Sequence, residues 1–202
     1  DPSRSAERQA AEGFGALAGL AHEGAGELIG SIGDRAASRT EPIADAIAPR
    51  GSGKLNQVVE ALGEQSLPAL VGMAFLSKGH LPTDAAYGEN INRCIDFILS
   101  NQKDNGVFEA GNAGSGPMYA HCIATLFLSE VSGMVDPTRQ KKIDGALAKA
   151  LKLILQAQKV KKSERNQGGW RYHPGSNDSD TSCSGWALMA LRSAKLNGAA
   201  VP

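Results

Sequence analysis

The sequence predicts an all-α protein built from repeated helical hairpins. Three observations predict it. Segments that are apolar almost all round alternate with segments whose apolar residues keep to one side. This alternation recurs along the chain from about residue 66. Nothing has the period-two pattern of a half-buried strand.

Ser66 can cap the first helix, and Pro68 fits a first turn. Leu67 to Leu76 is then apolar on every side. A polar loop with His80, Pro82 and Gly88 follows. Ile91, Cys94, Ile95, Ile98 and Leu99 next recur at helical spacing, opposite Asn92, Arg93 and Asp96. That is a one-sided surface helix. Met118 to Val131 is a second helix of the all-apolar kind. Asp136-Pro137 opens the next segment with a cap residue and a proline. There Ile143, Leu147, Leu151, Ile154 and Leu155 form a stripe opposite Lys141, Lys142, Asp144, Lys149 and Lys152. A third apolar helix spans Cys183 to Leu196, with Gly198 as its stop. A unit of one apolar and one amphipathic helix cannot bury itself alone. Such units stack, the first kind inside and the second outside. The phrase from Ala74 to Gly79 overlays that from Leu126 to Glu130, which matches Phe75 to Phe127 and then to Leu191. The same overlay sets Ala69 and Gly185 at the position of His121.

The chain has 202 residues, with 21 basic and 21 acidic side chains and no net charge. That balance argues against a nucleic-acid binder. No apolar run reaches transmembrane length. Nothing at the start reads as a signal peptide, and the compartment is undetermined. Cys94, Cys122 and Cys183 are widely spaced among apolar residues, so they read as reduced core cysteines. Residues 1–53 differ from the rest. They are rich in Ala and Gly, with Phe14, Leu17, Ala18 and Ala21 on one helical face and short pairs at Leu28/Ile32 and Ile43/Ile47. They read as a weakly helical segment ending in the linker Arg50-Gly51-Ser52-Gly53, and residues 54–202 as the repeat domain.

Each outer helix ends in a motif. The first is Gln102-Lys103-Asp104-Asn105-Gly106-Val107-Phe108; the second is Gln158, a basic insert, then Gly168-Gly169-Trp170. A Gln side chain can bond backbone at a helix end. Gly permits a tight turn. The aromatic ring fills the space between adjacent hairpins. The pattern resembles the QW repeat of squalene and oxidosqualene cyclases, and related hairpins occur in protein prenyltransferase β subunits and complement-type thioester domains. Ser182-Cys183-Ser184-Gly185-Trp186-Ala187-Leu188 is similar to an inner-helix phrase of the cyclases. The resemblance runs from about Gln65 to Pro202 and implies an α/α toroid. A complete ring in that family has six hairpins, more than this chain accommodates, so the expectation is a partial toroid. Its open flanks would be apolar, and the chain is not expected to work as an isolated monomer.

Candidate chemistry is sparse. Asp178 and Asp180 can be aligned with the first two acids of the cyclase D-x-D-D motif, but Thr181 replaces the last. An alkene-protonating acid needs a proton donor in a dry pocket. The competing readings make this stretch the loop and cap that start the third inner helix, or a ligand or ion contact. His121, near the start of an inner helix, is either a cavity-facing polar residue or a satisfied structural histidine. By the resemblance, Tyr119, His121 and Trp186 are cavity-lining candidates. Gln102, Gly106, Phe108, Gln158, Gly168 and Trp170 are the repeat motif. Asp180 and Cys183 do not have the prenyltransferase zinc spacing and no His follows them, so no metal or other cofactor is implied. Leu62-Gly63-Glu64-Gln65 lacks the cysteine a thioester needs. Val160 to Arg165 reads as a solvated basic loop, or else as a contact to an acidic protein or anionic lipid.

The expected function is therefore a non-catalytic binding or scaffold subunit that docks onto a partner protein or onto a second copy. An apolar small molecule is the other ligand the fold admits. The alternative is a terpenoid cyclase or prenyltransferase-like enzyme acting on an isoprenoid or other apolar chain. A distant one is an α/α-toroid polysaccharide-active protein.

Overall fold

A computed structural model describes residues 66–110 and 116–202. The segment 1–53, its linker, the boundary at residue 54 and the Leu62–Gln65 phrase lie outside the described residues. Among those described, five α-helices form and no strand does. They are α1 (Ser66–Ser77), α2 (Gly88–Ser100), α3 (Met118–Val131), α4 (Pro137–Gln158) and α5 (Thr181–Leu196), with a short 3-10 turn at Glu164–Asn166.

The helices that are apolar all round form one row, with α3 between α1 and α5. The amphipathic helices α2 and α4 pack against α1 and α3 respectively and touch each other. The all-α prediction holds. So does the division into two kinds of helix, because only a helix covered from several sides can be apolar on all of them. Twelve of the fourteen α3 residues are buried. The buried residues of α2 and α4 keep to single stripes, such as Ile91, Cys94, Ile95 and Ile98 on α2.

Two differences concern helix starts. Ser66 is the first residue of α1 and lies buried, so it is not the cap preceding it. α5 begins at Thr181, two residues before Cys183, because Asp180 caps it. Asp136 caps α4 as expected, accepting from the amides of Thr138 and Arg139 at 3.0 Å each, with Pro137 in the first turn. α1 and α5 end alike. Gly79 and Gly198 adopt positive φ, and the next residue donates back to Phe75 O and Ala194 O respectively. Only glycine takes that turn without strain.

Close approach sets the spacing of the inner row. A Cβ on Gly72 of α1 would lie 2.3 Å from the Phe127 ring of α3, so a hydrogen at this position lets the two helices meet. Trp186 of α5 is half-buried and packs against both hydrophobic clusters, one centred on α1–α3 and the other on α3–α5.

Candidate functional site

The two motif turns have the same construction. Gln102 Nε2 donates to Gly106 O at 3.1 Å, and Gln158 Nε2 to Gly168 O at 3.3 Å. Gly106 and Gly168 both have positive φ, which turns the chain back under the helix end. Phe108 and Trp170 then enter the core, with 0% and 2% of their surface exposed. The amide of each aromatic residue finds an acceptor on the following inner helix. Phe108 N donates to His121 Nδ1 at 3.1 Å, and Trp170 N to Ser184 Oγ at 2.9 Å.

That pairing makes Ser184 the counterpart of His121, one residue before the Gly185 of the sequence overlay. His121 has no exposed surface. Its Nδ1 must be unprotonated to accept from Phe108, so Nε2 carries the hydrogen and donates to Ala150 O at 3.2 Å. Burial lowers its pKa to about 4, outweighing the opposing bond to Ala150. The ring is neutral at pH 7, with both nitrogens used inside the fold. The ring lies in the core and not at the surface.

Three donors reach α4 in register. Gln102 Nε2 bonds Ala146 O at 2.9 Å, His121 Nε2 bonds Ala150 O, and Trp170 Nε1 bonds Ile154 O at 2.8 Å. These carbonyls are one turn apart on one face of the helix. Each carbonyl oxygen has a second lone pair beyond its intrahelical bond.

A polar cluster occupies the N-terminal ends of α3 and α5. Asp180 Oδ1 accepts from Cys183 N at 2.9 Å, from Ser182 Oγ and from the Tyr119 hydroxyl at 3.4 Å. Tyr119 also bonds Ser182 directly and stacks on Tyr172, with ring centroids 5.8 Å apart. Arg171 lies over the Tyr172 ring and pairs with Asp178 at 3.2 Å. Burial pushes the Asp180 carboxyl upward. The bonds from Ser182, the Cys183 amide and Tyr119, with the charge of Arg171, outweigh it and hold the pKa below the usual value. Tyr119 is pushed up to about 12, chiefly by burial. Asp180 is thus an ionised helix cap, and Tyr119 an un-ionised phenol. An ionised Asp180 lacks the proton that a general acid must carry.

No protein-family model, no curated protein and no solved structure matches this chain.

The cluster joins Tyr119, Asp178 and Asp180 but leaves out His121, which the Phe108 contact holds in the core. Sequence reasoning missed Ser184, Arg171 and Tyr172. The run Trp170-Arg171-Tyr172 directly after the glycine pair was the available signal. Cys94, Cys122 and Cys183 are buried free thiols, each raised in pKa by burial first. Among the described residues no three or more His, Cys, Asp and Glu side chains meet in a metal-binding group. No described helix is long and apolar enough to cross a membrane. In the basic insert, Lys162 turns inward and its ammonium donates to Ala157 O and Val160 O at the end of α4. Lys161 and Arg165 stay exposed.

Proposed function

We propose that the chain is a non-catalytic binding or scaffold subunit, built on hairpin repeats like those of squalene cyclases and prenyltransferases, which docks onto a partner chain. One observation carries this reading. Asp180, the best candidate acid, has its carboxylate committed to capping α5 and is held ionised there. Exposed apolar side chains agree with it: Leu188 and Leu196 of α5 are 56% and 76% exposed.

A specific feature favours a second reading, an enzyme or carrier for an apolar chain. A groove of about 540 Å³ runs along the inner row, walled by Met73, Leu76, Leu126 and Met189, with Met134 and Leu196 at its edge. That volume suits a small apolar ligand. Incubation of the protein with polyprenyl diphosphates and with squalene separates the two. No product is expected. Turnover that disappears in Asp180→Asn overturns the binding-subunit reading in favour of the enzyme.

A further inference from the structure

The groove between α2 and α4 has a counterpart one repeat further on. Gln102 and Gln158 fix the register, since each bonds the glycine carbonyl of its own turn. Counting back from each glutamine, Asp96, Leu99 and Ser100 on α2 correspond to Lys152, Leu155 and Gln156 on α4. The first trio lines a groove whose other wall is the start of α4. There Arg139 grips Asp96 through two bonds, Nε to Oδ1 at 3.0 Å and a terminal nitrogen to Oδ2 at 2.8 Å. The second trio lines a groove of about 720 Å³ on the opposite side of α4, walled by Ala194 of α5, by Asn197 to Ala200 beyond that helix, and by Ser129 and Ser132.

No described helix lies in this second groove. Leu147 and Leu151 on its floor keep 9% and 8% of their surface exposed, whereas their α2 counterparts Ile91 and Ile95 keep none. With Leu155 they make an apolar stripe two turns long, about 12 Å. Lys152 stands where Asp96 stands on α2, is exposed, and has no carboxylate partner among the described residues. Lys159 adds a second positive charge on the same wall, and Asp144 is the one acid along it among the described residues.

We infer that this groove seats an amphipathic helix of a partner protein that carries a carboxylate where α4 carries Arg139. The inference rests on the binding-subunit reading and names the partner's chemistry. The partner helix lies on α4 as α4 lies on α2, with the ion pair reversed in sign. The walls of the groove supply the contact area, and the charge selects which helix binds.

The test uses the whole chain and two labelled synthetic peptides, both of residues 137–158. One is unaltered and the other carries Arg139→Glu. Fluorescence anisotropy is expected to show the Arg139→Glu peptide binding about fivefold more tightly, the scale of an exposed ion pair. In the Lys152→Glu protein the order of the two peptides reverses. Lys152 is exposed, so this change leaves the fold intact, which circular dichroism checks. Failure of both peptides to bind, or a preference that survives Lys152→Glu, overturns the seat. Absent preference with absent turnover rejects the seat alone. Turnover beside an intact preference rejects the binding-subunit reading alone.

Discussion

His121 Nδ1 accepts the backbone amide of Phe108 at 3.1 Å, and so one imidazole ties the motif turn of the first hairpin to the inner helix of the second. Its other nitrogen reaches Ala150 O on α4. The ring therefore joins three segments while remaining neutral.

This arrangement makes stability depend on pH with a definite sign. In the unfolded chain His121 takes up a proton below about pH 6.5; in the folded chain it does so only near 4. The unfolded state binds more protons in that window, so stability is full above pH 6.5 and falls as pH drops toward 4. The loss attributable to this ring is about 3 kcal/mol. Urea unfolding at pH 7 and pH 4 should show that increment in the native protein and not in His121→Gln. Equal acid sensitivity of the two proteins would show that the ring is not the source. At pH 7 a His121→Leu variant should be less stable by about 1–3 kcal/mol, since the Phe108 amide then loses its acceptor.

Truncation of either motif aromatic should leave a cavity. Phe108→Ala and Trp170→Ala are each expected to lose about 3–5 kcal/mol. Trp170→Phe keeps most of the volume but removes the indole donor to Ile154 O, and should lose less. Thermal unfolding ranks the three, and an unchanged Tm for Trp170→Ala would mean that its ring is solvated.

The two motif glycines should respond unequally to alanine. Both have positive φ, which strains an alanine by about 1–2 kcal/mol. A Cβ at Gly106 would also lie 2.9 Å from Lys149 O, whereas at Gly168 nothing lies within 4 Å. Gly106→Ala is therefore expected to destabilise clearly more than Gly168→Ala. The opposite ranking in denaturant titrations would contradict the tight seat of the first turn on α4.

Asp180 as a cap makes a prediction that Asp180 as an acid does not. Asparagine caps helices about as well as aspartate. Asp180→Asn should thus change stability at pH 7 by under about 1 kcal/mol, and Asp180→Ala should lose about 1–2 kcal/mol. With the folded pKa depressed, the native carboxylate's stabilisation is present above its unfolded pKa and fades as pH falls through the folded one. Asp180→Asn abolishes that acid-side contribution.

Much of the fold was legible in the residues themselves. The stripe Ile91–Cys94–Ile95–Ile98 marked α2, and Met118 to Val131 gave both ends of α3, because burial on one side or on all sides leaves its period in the sequence. The motif spacings likewise located both turns. For His121 the two bonds and full burial fit the reading as a satisfied structural histidine, but its partners were not legible. Aligning Phe127 with Leu191 set Gly185 opposite it, yet the amides of Phe108 and Trp170 select His121 and Ser184. An acceptor shared by unlike side chains leaves no common letter to align. The Arg139–Asp96 pair joins two helices far apart in sequence, and no local pattern marks such a contact. The Asp178–Asp180 stretch suggested two chemistries by its composition; hydrogen-bond geometry separates an acid from a cap.

The three donors that reach Ala146, Ala150 and Ile154 have a mechanical consequence. Gln102 comes from the end of the first hairpin, His121 from within the second, and Trp170 from the turn leading into α5. Stacked repeats that touch only their neighbours can fray one at a time from an end. Here a single helix is pinned by three successive units, so none can peel away without breaking a bond to it. Native-state hydrogen exchange should find α3 and α4 opening together as one cooperative unit, near the free energy of global unfolding.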